Sequence, residues 1–366
     1  LQDSVQKFVH RHYSFDDRNA IIDSGSGYSD ECWQLFAELG WLTVPFSEGD
    51  GGFGGLATDM MVLMEEFGKA MVVEPFVPTA VLGGGLIAAL GGEQHKEQIL
   101  GPLMEGKLQL GAALYETNGR YNLASVGTTA KRDGEDYVVN GRKIFVLNGE
   151  AAQQLLVSVR TEGAERDEHG ISIVLIDAAS SGVHRKAYTT VDGHRAAQIS
   201  FTDVRVPVTN CLGAEGEALG AVRSVVDRAT LCVSAEAVGA LDMLLQKTVE
   251  YSKTRKQFGS AIGTFQALQH RMADMFIECQ LARSIVVMAA MKLDSDISDY
   301  EKARAVSAAK SRVGRAIRKV GQEAVQLHGG IGITNELDVG HLFKRVTGIE
   351  TLFGNSDFHT ARFASL

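Results

Sequence analysis

Two short segments in the last third of the chain contain the residues best suited to hold a phosphorylated ligand. Residues 251–259 read Tyr-Ser-Lys-Thr-Arg-Lys-Gln-Phe-Gly, and residues 326–332 read Gln-Leu-His-Gly-Gly-Ile-Gly. Arg255 can make a bidentate contact to a pyrophosphate, because its guanidinium presents paired N–H donors. The glycines of the second segment let the backbone beside Gln326 approach a phosphate or an adenine closely, because no Cβ intervenes.

Each segment also has a purely structural interpretation. Arg255 and Lys256 fit a solvated helix end, and Gly329-Gly330 fits a tight helix C-cap. A third glycine run, at residues 83–85, is not a dinucleotide fingerprint, because no strand precedes it and no βαβ unit surrounds it. The two C-terminal segments therefore need support from the rest of the chain.

The elements that position these segments follow a helical, β, helical order. Residues 1–108 have apolar side chains at helical spacing, interrupted by a glycine-rich loop at residues 45–55. Residues 109–213 contain short β-type runs separated by turn signals such as Asn140-Gly141, which is typical of a small antiparallel barrel or sandwich. Residues 214–366 return to helical periodicity and predict an antiparallel bundle. We expect these three ranges to be three domains.

The composition limits the partners and the compartment. The chain has 36 Lys and Arg against 45 Asp and Glu, a net charge of −9, and no basic run of the kind that nucleic acid requires. Its four cysteines are scattered without metal-ligand spacing, as in reduced intracellular proteins. No stretch has the pattern of a membrane span or a signal peptide. The sequence predicts a cytoplasmic protein that binds no metal, nucleic acid or membrane.

Over nearly its whole length the chain resembles the acyl-CoA dehydrogenase family. Besides the two C-terminal segments, the similar stretches are residues 40–55, 140–143, 201–207, 212–217, 263–266 and 270–275. Residues 121–123 and 351–354 are most similar to the small-subunit branch of pimeloyl-CoA dehydrogenases. The resemblance implies a multidomain α+β fold, with an N-terminal helical domain, a middle β-domain and a C-terminal four-helix bundle.

The resemblance also implies FAD, bound noncovalently across a subunit interface. Arg255, Phe258 and Gln266 would contact its adenosine-pyrophosphate part, and residues 326–330 would serve the FAD of a neighbouring subunit. Residues 145–147 correspond to the family's residues beside the flavin ring. The complete set of cofactor-binding residues expected in this way is Leu114, Glu116, Phe145, Val146, Leu147, Arg255, Phe258, Gln266, Gln326, Leu327, Gly329, Gly330 and Asn355.

The β-domain loop at residues 115–122 departs from the family's pattern. The family's flavin loop reads Thr-Glu-Pro-Gly-x-Gly-Ser-Asp, whereas residues 115–122 here read Tyr-Glu-Thr-Asn-Gly-Arg-Tyr-Asn. The hydroxyl groups that normally contact the flavin and the substrate are thereby replaced. Arg120, in place of a glycine, is expected to meet a CoA phosphate or an acidic end of the substrate, with Tyr121 beside it.

The catalytic base is the second departure. Removing the α-proton of a thioester needs a carboxylate in a dry site, and the family usually supplies a Glu where this chain has Phe353. Its backbone N–H can still donate to the thioester carbonyl. Some members keep the base on a bundle helix in a Glu-Arg segment, which matches Asp227-Arg228 here. Asp227 is therefore the expected base, unless it only pairs with Arg223 one turn earlier, and Glu350 is a weaker rival.

The function expected first is an FAD-dependent acyl-CoA dehydrogenase that makes a 2-enoyl-CoA and passes electrons to an electron-transferring flavoprotein. Arg120, Tyr121, Arg228 and Phe353 would then face the acyl-CoA thioester. A non-catalytic or half-site subunit of a heteromeric dehydrogenase is the second possibility, and a flavoprotein oxidase on the same fold is the third. In each case the resemblance implies a homo- or hetero-oligomer, either a dimer or a tetramer.

Overall fold

The computed structural model describes residues 1–366, and it begins with short helices. Their bounds are α1 (Gln2–His12), α2 (Phe15–Asp23), α3 (Asp30–Glu38), α4 (Ala57–Ala70), α5 (Gly85–Leu90) and α6 (Glu93–Met104). A π-helical stretch, Val77–Gly84, leads directly into α5. π-Helices are rare, and those that occur often lie at functional sites. The glycine run at residues 83–85 is thus helical and forms no phosphate-binding loop.

The middle of the chain forms one twisted sheet. Its strands are β1 (Leu110–Ala113), β2 (Thr129–Asp133), β3 (Asp136–Leu147), β4 (Gln154–Arg160), β5 (Ile171–Asp177), β6 (Val183–Thr189), β7 (Arg195–Pro207) and β8 (Cys211–Leu212). The strand order is β6-β7-β3-β2-β4-β5-β8, and β1 pairs with β4 in parallel. The alternating inward residues of β3, β4, β5 and β7 form the core of this sheet. The β-domain is therefore predominantly antiparallel, but β4 pairs in parallel with both β1 and β2, which the sequence did not indicate.

The turn predicted at Asn140-Gly141 is wrong. Both residues lie inside β3, which continues to Leu147. The pairing of β3 with β7 shifts register between Val139 and Gly141 instead. A Cβ on Gly141 would lie 2.5 Å from Thr128 Oγ1, so glycine is needed here for close approach within a bulged strand.

The last third of the chain consists of long helices. They are α7 (Leu219–Thr254), α8 (Gln266–Leu293), α9 (Asp299–His328), α10 (Asp338–Thr351) and α11 (Ser356–Ser365), and the two-residue strands β9 (Lys256–Gln257) and β10 (Ser260–Ala261) form a hairpin between α7 and α8. The apolar stripe after residue 219 does form one helix, of 36 residues. By length and composition alone α7 could cross a membrane, but 78% of its most apolar window is buried inside the protein.

The chain folds into two compact units. The first, called here the helical unit, contains Leu1–Ala20, Ala57–Val72 and Thr230–Leu366, and the second, called the sheet unit, contains Ile21–Leu56 and Val73–Ala229. In the helical unit α4 and α7 cross in direct backbone contact. A Cβ on Gly68 would lie 1.9 Å from the carbonyl oxygen of Glu236, and one on Gly239 would lie 1.9 Å from that of Glu65. Larger residues at either glycine would force the two helices apart.

Candidate functional site

The hairpin after α7 presents Arg255 and Phe258 to solvent. Between β9 and β10, Phe258 and Gly259 both have positive φ, +52° and +83°. This is the signature of a tight two-residue hairpin turn, in which an aromatic residue at the first position is costly. The Phe258 side chain is 94% exposed, and the guanidinium of Arg255, also exposed, makes no hydrogen bond or ion pair within the chain. A strained, exposed aromatic residue beside an unpaired cation is typical of a functional surface.

The second segment offers open backbone. Helix α9 ends at His328, and Gly329 follows with φ +69° and ψ −149°, a conformation that only glycine adopts readily. A Cβ on Gly329 or Gly330 would meet nothing within 4 Å, so the backbone there is accessible to a ligand. Gln326 is exposed, whereas Leu327 is buried. A contact from Leu327 to a cofactor would therefore use its backbone.

The structure brings these two segments together within the helical unit. The Tyr251 hydroxyl donates to the carbonyl oxygen of His328 over 3.3 Å. The rings of Tyr251 and His328 also stack, with their centroids 4.4 Å apart. The residue that opens the first segment thus fixes the position of the second.

The groups gathered here fit the FAD that the resemblance implies. Arg255 supplies an unpaired cation, and Gln266 is exposed at the first turn of α8, whose N-terminus no side chain caps. Uncapped N–H groups at a helix N-terminus favour a phosphate, and the helix dipole adds to this preference. Phe258 supplies an aromatic face, and the open backbone of Gly329 is left for the FAD of a neighbouring subunit, as the resemblance implies. A cation, helix amides and an aromatic surface match a pyrophosphate joined to an adenine.

In the sheet unit, the carboxylate of Glu116 is fully engaged by its neighbours. It accepts hydrogen bonds from Gly127 N (2.9 Å), from Thr128 N (3.0 Å) and Oγ1 (2.8 Å), and from the buried Lys143 ammonium (2.7 Å). Burial raises the pKa of Glu116, but the Lys143 charge and these hydrogen bonds outweigh it and leave the pKa below its usual range. The Glu116 side chain therefore fixes the loop, and only its backbone is left to contact a cofactor.

The expected flavin-ring residues lie on a bulged part of β3. Phe145 has φ +51° and is 37% exposed, at the point where the pairing of β3 with β7 skips from Lys143 to Val146. Val146 and Leu114 are buried in the sheet unit. Of the expected residues, Phe145 and the half-buried Leu147 can present side chains, and the other two can present only backbone.

The loop that contains Arg120 is held from inside by Arg160. Arg120 itself is exposed with φ +49°, and its guanidinium has no hydrogen bond or ion pair in the chain, while Tyr121 is half-buried. The buried Arg160 guanidinium donates to five backbone carbonyls, those of Ala124, Val126, Glu165, Asp167 and His169. Burial lowers the pKa of Arg160, although nearby carboxylates oppose this. The loop is thus rigid at its base and presents Arg120 as a free cation.

Asp227 lies in the part of α7 that belongs to the sheet unit. It is 6% exposed, and its neighbour Val225 packs against Gly85, where an added Cβ would lie 3.2 Å from Val225 Cγ1. Arg228 donates to the carbonyl oxygen of Gly55. Arg223, which the sequence suggested as an ion-pair partner of Asp227, donates to Glu168 instead. Asp227 therefore has the burial that a base requires.

The turn between α10 and α11, residues 352–355, contains Phe353. Phe353 has φ +57° and is 7% exposed, and Gly354 follows with φ +121°. A Cβ on Gly354 would lie 2.6 Å from Nε2 of His359, a ring atom that is 3.1 Å from the Phe353 carbonyl oxygen. Asn355 caps α11 by accepting from Phe358 N over 2.9 Å. The Asn355 side-chain oxygen is thus engaged within the turn.

Glu350, the rival base, is engaged at the same turn. Its carboxylate accepts from Ser356 N (3.1 Å), Ser356 Oγ (2.7 Å) and Arg318 (2.9 Å). Burial raises its pKa, but Ser356 and Arg318 outweigh this and hold the pKa below its usual range. A low pKa is the wrong direction for a general base, so the geometry favours a structural role.

A buried lysine on α9 contacts the same turn, and it could not be identified from the sequence. Lys310, in the middle of α9, is fully buried and donates to backbone carbonyls around the turn. In the sequence Lys310 is only a lysine on the apolar face of a helix, and such a lysine usually extends its charged end to solvent.

Comparisons with known proteins cover all three parts of the chain. Family models described as the N-terminal, middle and C-terminal domains of acyl-CoA dehydrogenase match residues 1–107, 111–204 and 219–365. The short-chain-specific acyl-CoA dehydrogenase of Clostridium acetobutylicum is 30% identical over 345 residues, which is 92% of this chain and 89% of that protein. Butyryl-CoA dehydrogenase from Megasphaera elsdenii has a TM-score of 0.89 at 27% identity, covering 100% of this chain and 98% of that one. A variant of the steroid acyl-CoA dehydrogenase Tcur3481-Tcur3483 has a TM-score of 0.87 at 27% identity, covering 100% and 95%.

Proposed function

The chain belongs to the acyl-CoA dehydrogenase family, and we propose that it is a member of the small-subunit, pimeloyl-CoA type that removes the α-proton with Asp227. As a family member it is an oxidoreductase that acts on acyl-CoA thioesters with FAD as cofactor. The observation that carries the proposal is the buried Phe353 at the position where the family has its Glu. A phenyl ring cannot accept a proton, so the base must come from elsewhere.

Asp227 is the carboxylate that suits this task. It is buried beside the apolar residues of α7, and an acid in such a position is often functional. When bound, FAD would be the acceptor of the hydride that leaves the β-carbon of the substrate. Asp227 would take the α-proton at the same time, which leaves a double bond between the two carbons. Asp is one methylene shorter than Glu, so the substrate must lie close to α7.

The α10–α11 turn would hold the thioester carbonyl. The backbone N–H groups of Phe353 and Gly354 make no hydrogen bond within the chain. Donors of this kind stabilise the negative charge that develops on the thioester oxygen when the α-proton leaves. This contact needs no side chain, so it survives the replacement of Glu by Phe353. In the sheet unit, Arg120 would pair with a CoA phosphate or an acidic acyl terminus.

The cofactor-binding residues support an oligomer. The large apolar side chain of Phe258 is 94% exposed, and Gln326 and Gly329 are accessible on the same unit. Helix α8 also exposes large apolar residues, which are Phe276, Ile277, Leu281, Met288 and Met291. Exposed apolar surface of this extent marks a protein interface. A dimer or tetramer in which residues 326–330 serve a neighbour's FAD would cover these surfaces.

Two further points belong to the proposal. An electron-transferring flavoprotein would accept the electrons, and one relative at 27% identity is named as a subunit of a caffeyl-CoA reductase-Etf complex from Acetobacterium woodii. None of the four cysteines forms a disulfide, which fits a reducing compartment such as the cytoplasm.

A half-site subunit is the second candidate. Phe353 favours it, because a chain that shares its site with a base-bearing partner needs no Glu of its own. The name of the steroid dehydrogenase Tcur3481-Tcur3483 likewise joins two components. In this case the FAD-binding residues remain necessary, whereas Asp227 is dispensable.

Asp227→Asn separates the two candidates. The side chains are nearly isosteric, so FAD content should stay constant while flavin bleaching by butyryl-CoA or pimeloyl-CoA slows by about 100-fold to 10,000-fold. Asp274→Asn, an exposed position on α8, is the matched control and should bleach at the wild-type rate. A wild-type chain that bleaches only when co-expressed with a larger partner, and does so equally with Asn at 227, would establish the half-site subunit instead.

A further inference from the structure

The backbone around the α10–α11 turn is held from inside the bundle by one ammonium group. Lys310 Nζ, on α9, donates to the carbonyl oxygens of Ile349 (2.9 Å), Glu350 (2.9 Å) and Gly354 (2.7 Å). Three N–H donors therefore match three acceptors, two on the last turn of α10 and one beyond it. His359, on α11, holds the Phe353 carbonyl over 3.1 Å. These contacts fix the end of the helix and the turn relative to each other.

Two backbone N–H donors of the same turn have no acceptor in the chain. The carbonyls of Phe353 and Gly354 are engaged by His359 and Lys310, while the N–H groups of Phe353 and Gly354 have no acceptor in the chain. Unsatisfied N–H groups in a largely buried position are rare and call for an explanation. An external acceptor, the thioester oxygen, provides one.

We propose that Lys310 is a positioning residue for the reaction, because it holds the carbonyl groups of residues 349, 350 and 354 so that the N–H groups of Phe353 and Gly354 remain available to the thioester oxygen. The inference rests on the proposed function. It does not depend on which carboxylate is the base, since Lys310 acts on the carbonyl oxygen and not on the α-proton.

The titration of Lys310 supplies a signature of this role. Burial lowers the pKa of Lys310 to about 7, although the Glu350 carboxylate opposes this, and no charge from α8 contributes. On α11, burial and the charges of Lys310 and Arg362 lower the pKa of His359 to about 3, so that ring stays neutral. Arg318 on α9 is paired with Glu350. Lys310 is thus the group of this cluster that changes charge near neutral pH.

The two consequences of this titration have opposite signs. Below pH 7 the ammonium has three N–H donors for its three carbonyls, and above it the amine has two, so the hold on the turn weakens as pH rises. Stability moves the other way. The pKa of Lys310 is lower in the folded than in the unfolded chain, so between pH of about 7 and 10.4 only the unfolded chain binds this proton, and its contribution to stability rises with pH.

The test compares equilibrium binding of an acyl-CoA thioester and its thioether analogue, which lacks the carbonyl oxygen, to the FAD-loaded protein. Wild type should prefer the thioester by about 5-fold to 10-fold at pH 6, the range expected for one or two neutral hydrogen bonds. The preference should fall as pH rises through about 7. Lys310→Met should show little preference at any pH and retain FAD. Lys319→Met, an exposed lysine on the same helix, should match wild type.

Each outcome decides the matter. A preference in Lys310→Met equal to that of wild type would overturn the positioning role alone. If that variant does not fold, the wild-type pH series decides, and a constant preference from pH 6 to 9 would overturn the role. If wild type binds neither analogue, the proposed function fails and the inference fails with it.

Discussion

Two Phe-Gly turns in the helical unit both place the phenylalanine and the glycine at positive φ, but their surroundings are opposite. Phe258-Gly259 has φ values of +52° and +83°, and Phe353-Gly354 has +57° and +121°. The first phenylalanine is 94% exposed and the second 7% exposed. A left-handed phenylalanine is costly in both places, so each turn must be held by contacts or retained for function.

The two turns differ in which groups are available to bind a ligand. Around the exposed turn the guanidinium of Arg255 has no partner in the chain, which suits a cofactor that arrives from outside. Around the buried turn Lys310 and His359 hold the carbonyls, and only two backbone N–H groups remain. The exposed turn thus binds through side chains, and the buried turn through a fixed backbone. The second arrangement can tolerate loss of a catalytic side chain, which fits the presence of Phe353.

The largest expected effect comes from filling the buried turn. Gly354→Ala should lower the free energy of unfolding by about 3 to 4 kcal/mol, from backbone strain together with overpacking. Its Cβ would lie 2.5 Å from the Phe358 ring and 2.6 Å from His359 Nε2. Urea unfolding measures the change. Gly329→Ala is the matched control, because its Cβ meets nothing within 4 Å, and it should cost only about 1 to 2 kcal/mol. Equal losses at the two glycines would contradict the contrast between the turns.

The exposed turn should respond in cofactor affinity and not in stability. Arg255→Ala should weaken FAD binding by about 10-fold to 100-fold, because a charge-assisted contact to the pyrophosphate is lost. Lys253→Ala removes a nearby exposed charge from the end of α7 and should leave FAD binding unchanged. Flavin content after gel filtration, followed by titration of the apoprotein with FAD, gives both values. Identical affinities for the two variants would remove Arg255 from the site.

The same contrast explains how far the sequence could predict the structure. The long apolar stripe of α7 and the motif at residues 251–259 are local patterns, and the structure has a helix and a tight turn there. The turn expected at Asn140-Gly141 failed because a close approach to Thr128, outside β3, decides the conformation of that glycine. Lys310 could not be identified, since its acceptors lie 39 to 44 residues away along the chain.

The departures at the flavin loop follow the same logic. The sequence identified Glu116 and Arg120 as neighbours in one motif, yet their surroundings differ. Glu116 is tied to Lys143, which lies 27 residues away, whereas Arg120 is exposed. Only the fold distinguishes a carboxylate that holds a loop from a cation that is free to bind.

The smallest expected effect concerns Glu350, at the edge of the buried turn. Its pKa is held below the usual range by Ser356 and Arg318 against the effect of burial, so its ionised form stabilises the fold above the unfolded-state pKa of about 4.3. This contribution is lost as pH falls through the lower folded-state pKa. Because Arg318 is half exposed, Glu350→Gln should cost only about 1 kcal/mol at pH 7, and the difference from wild type should shrink progressively below pH of about 4. Flavin bleaching should proceed at close to the wild-type rate, because the carboxylate is engaged in the turn. Unfolding midpoints measured from pH 3 to 8 together with bleaching rates test both parts, and a bleaching rate reduced 100-fold or more would make Glu350 the base and displace Asp227.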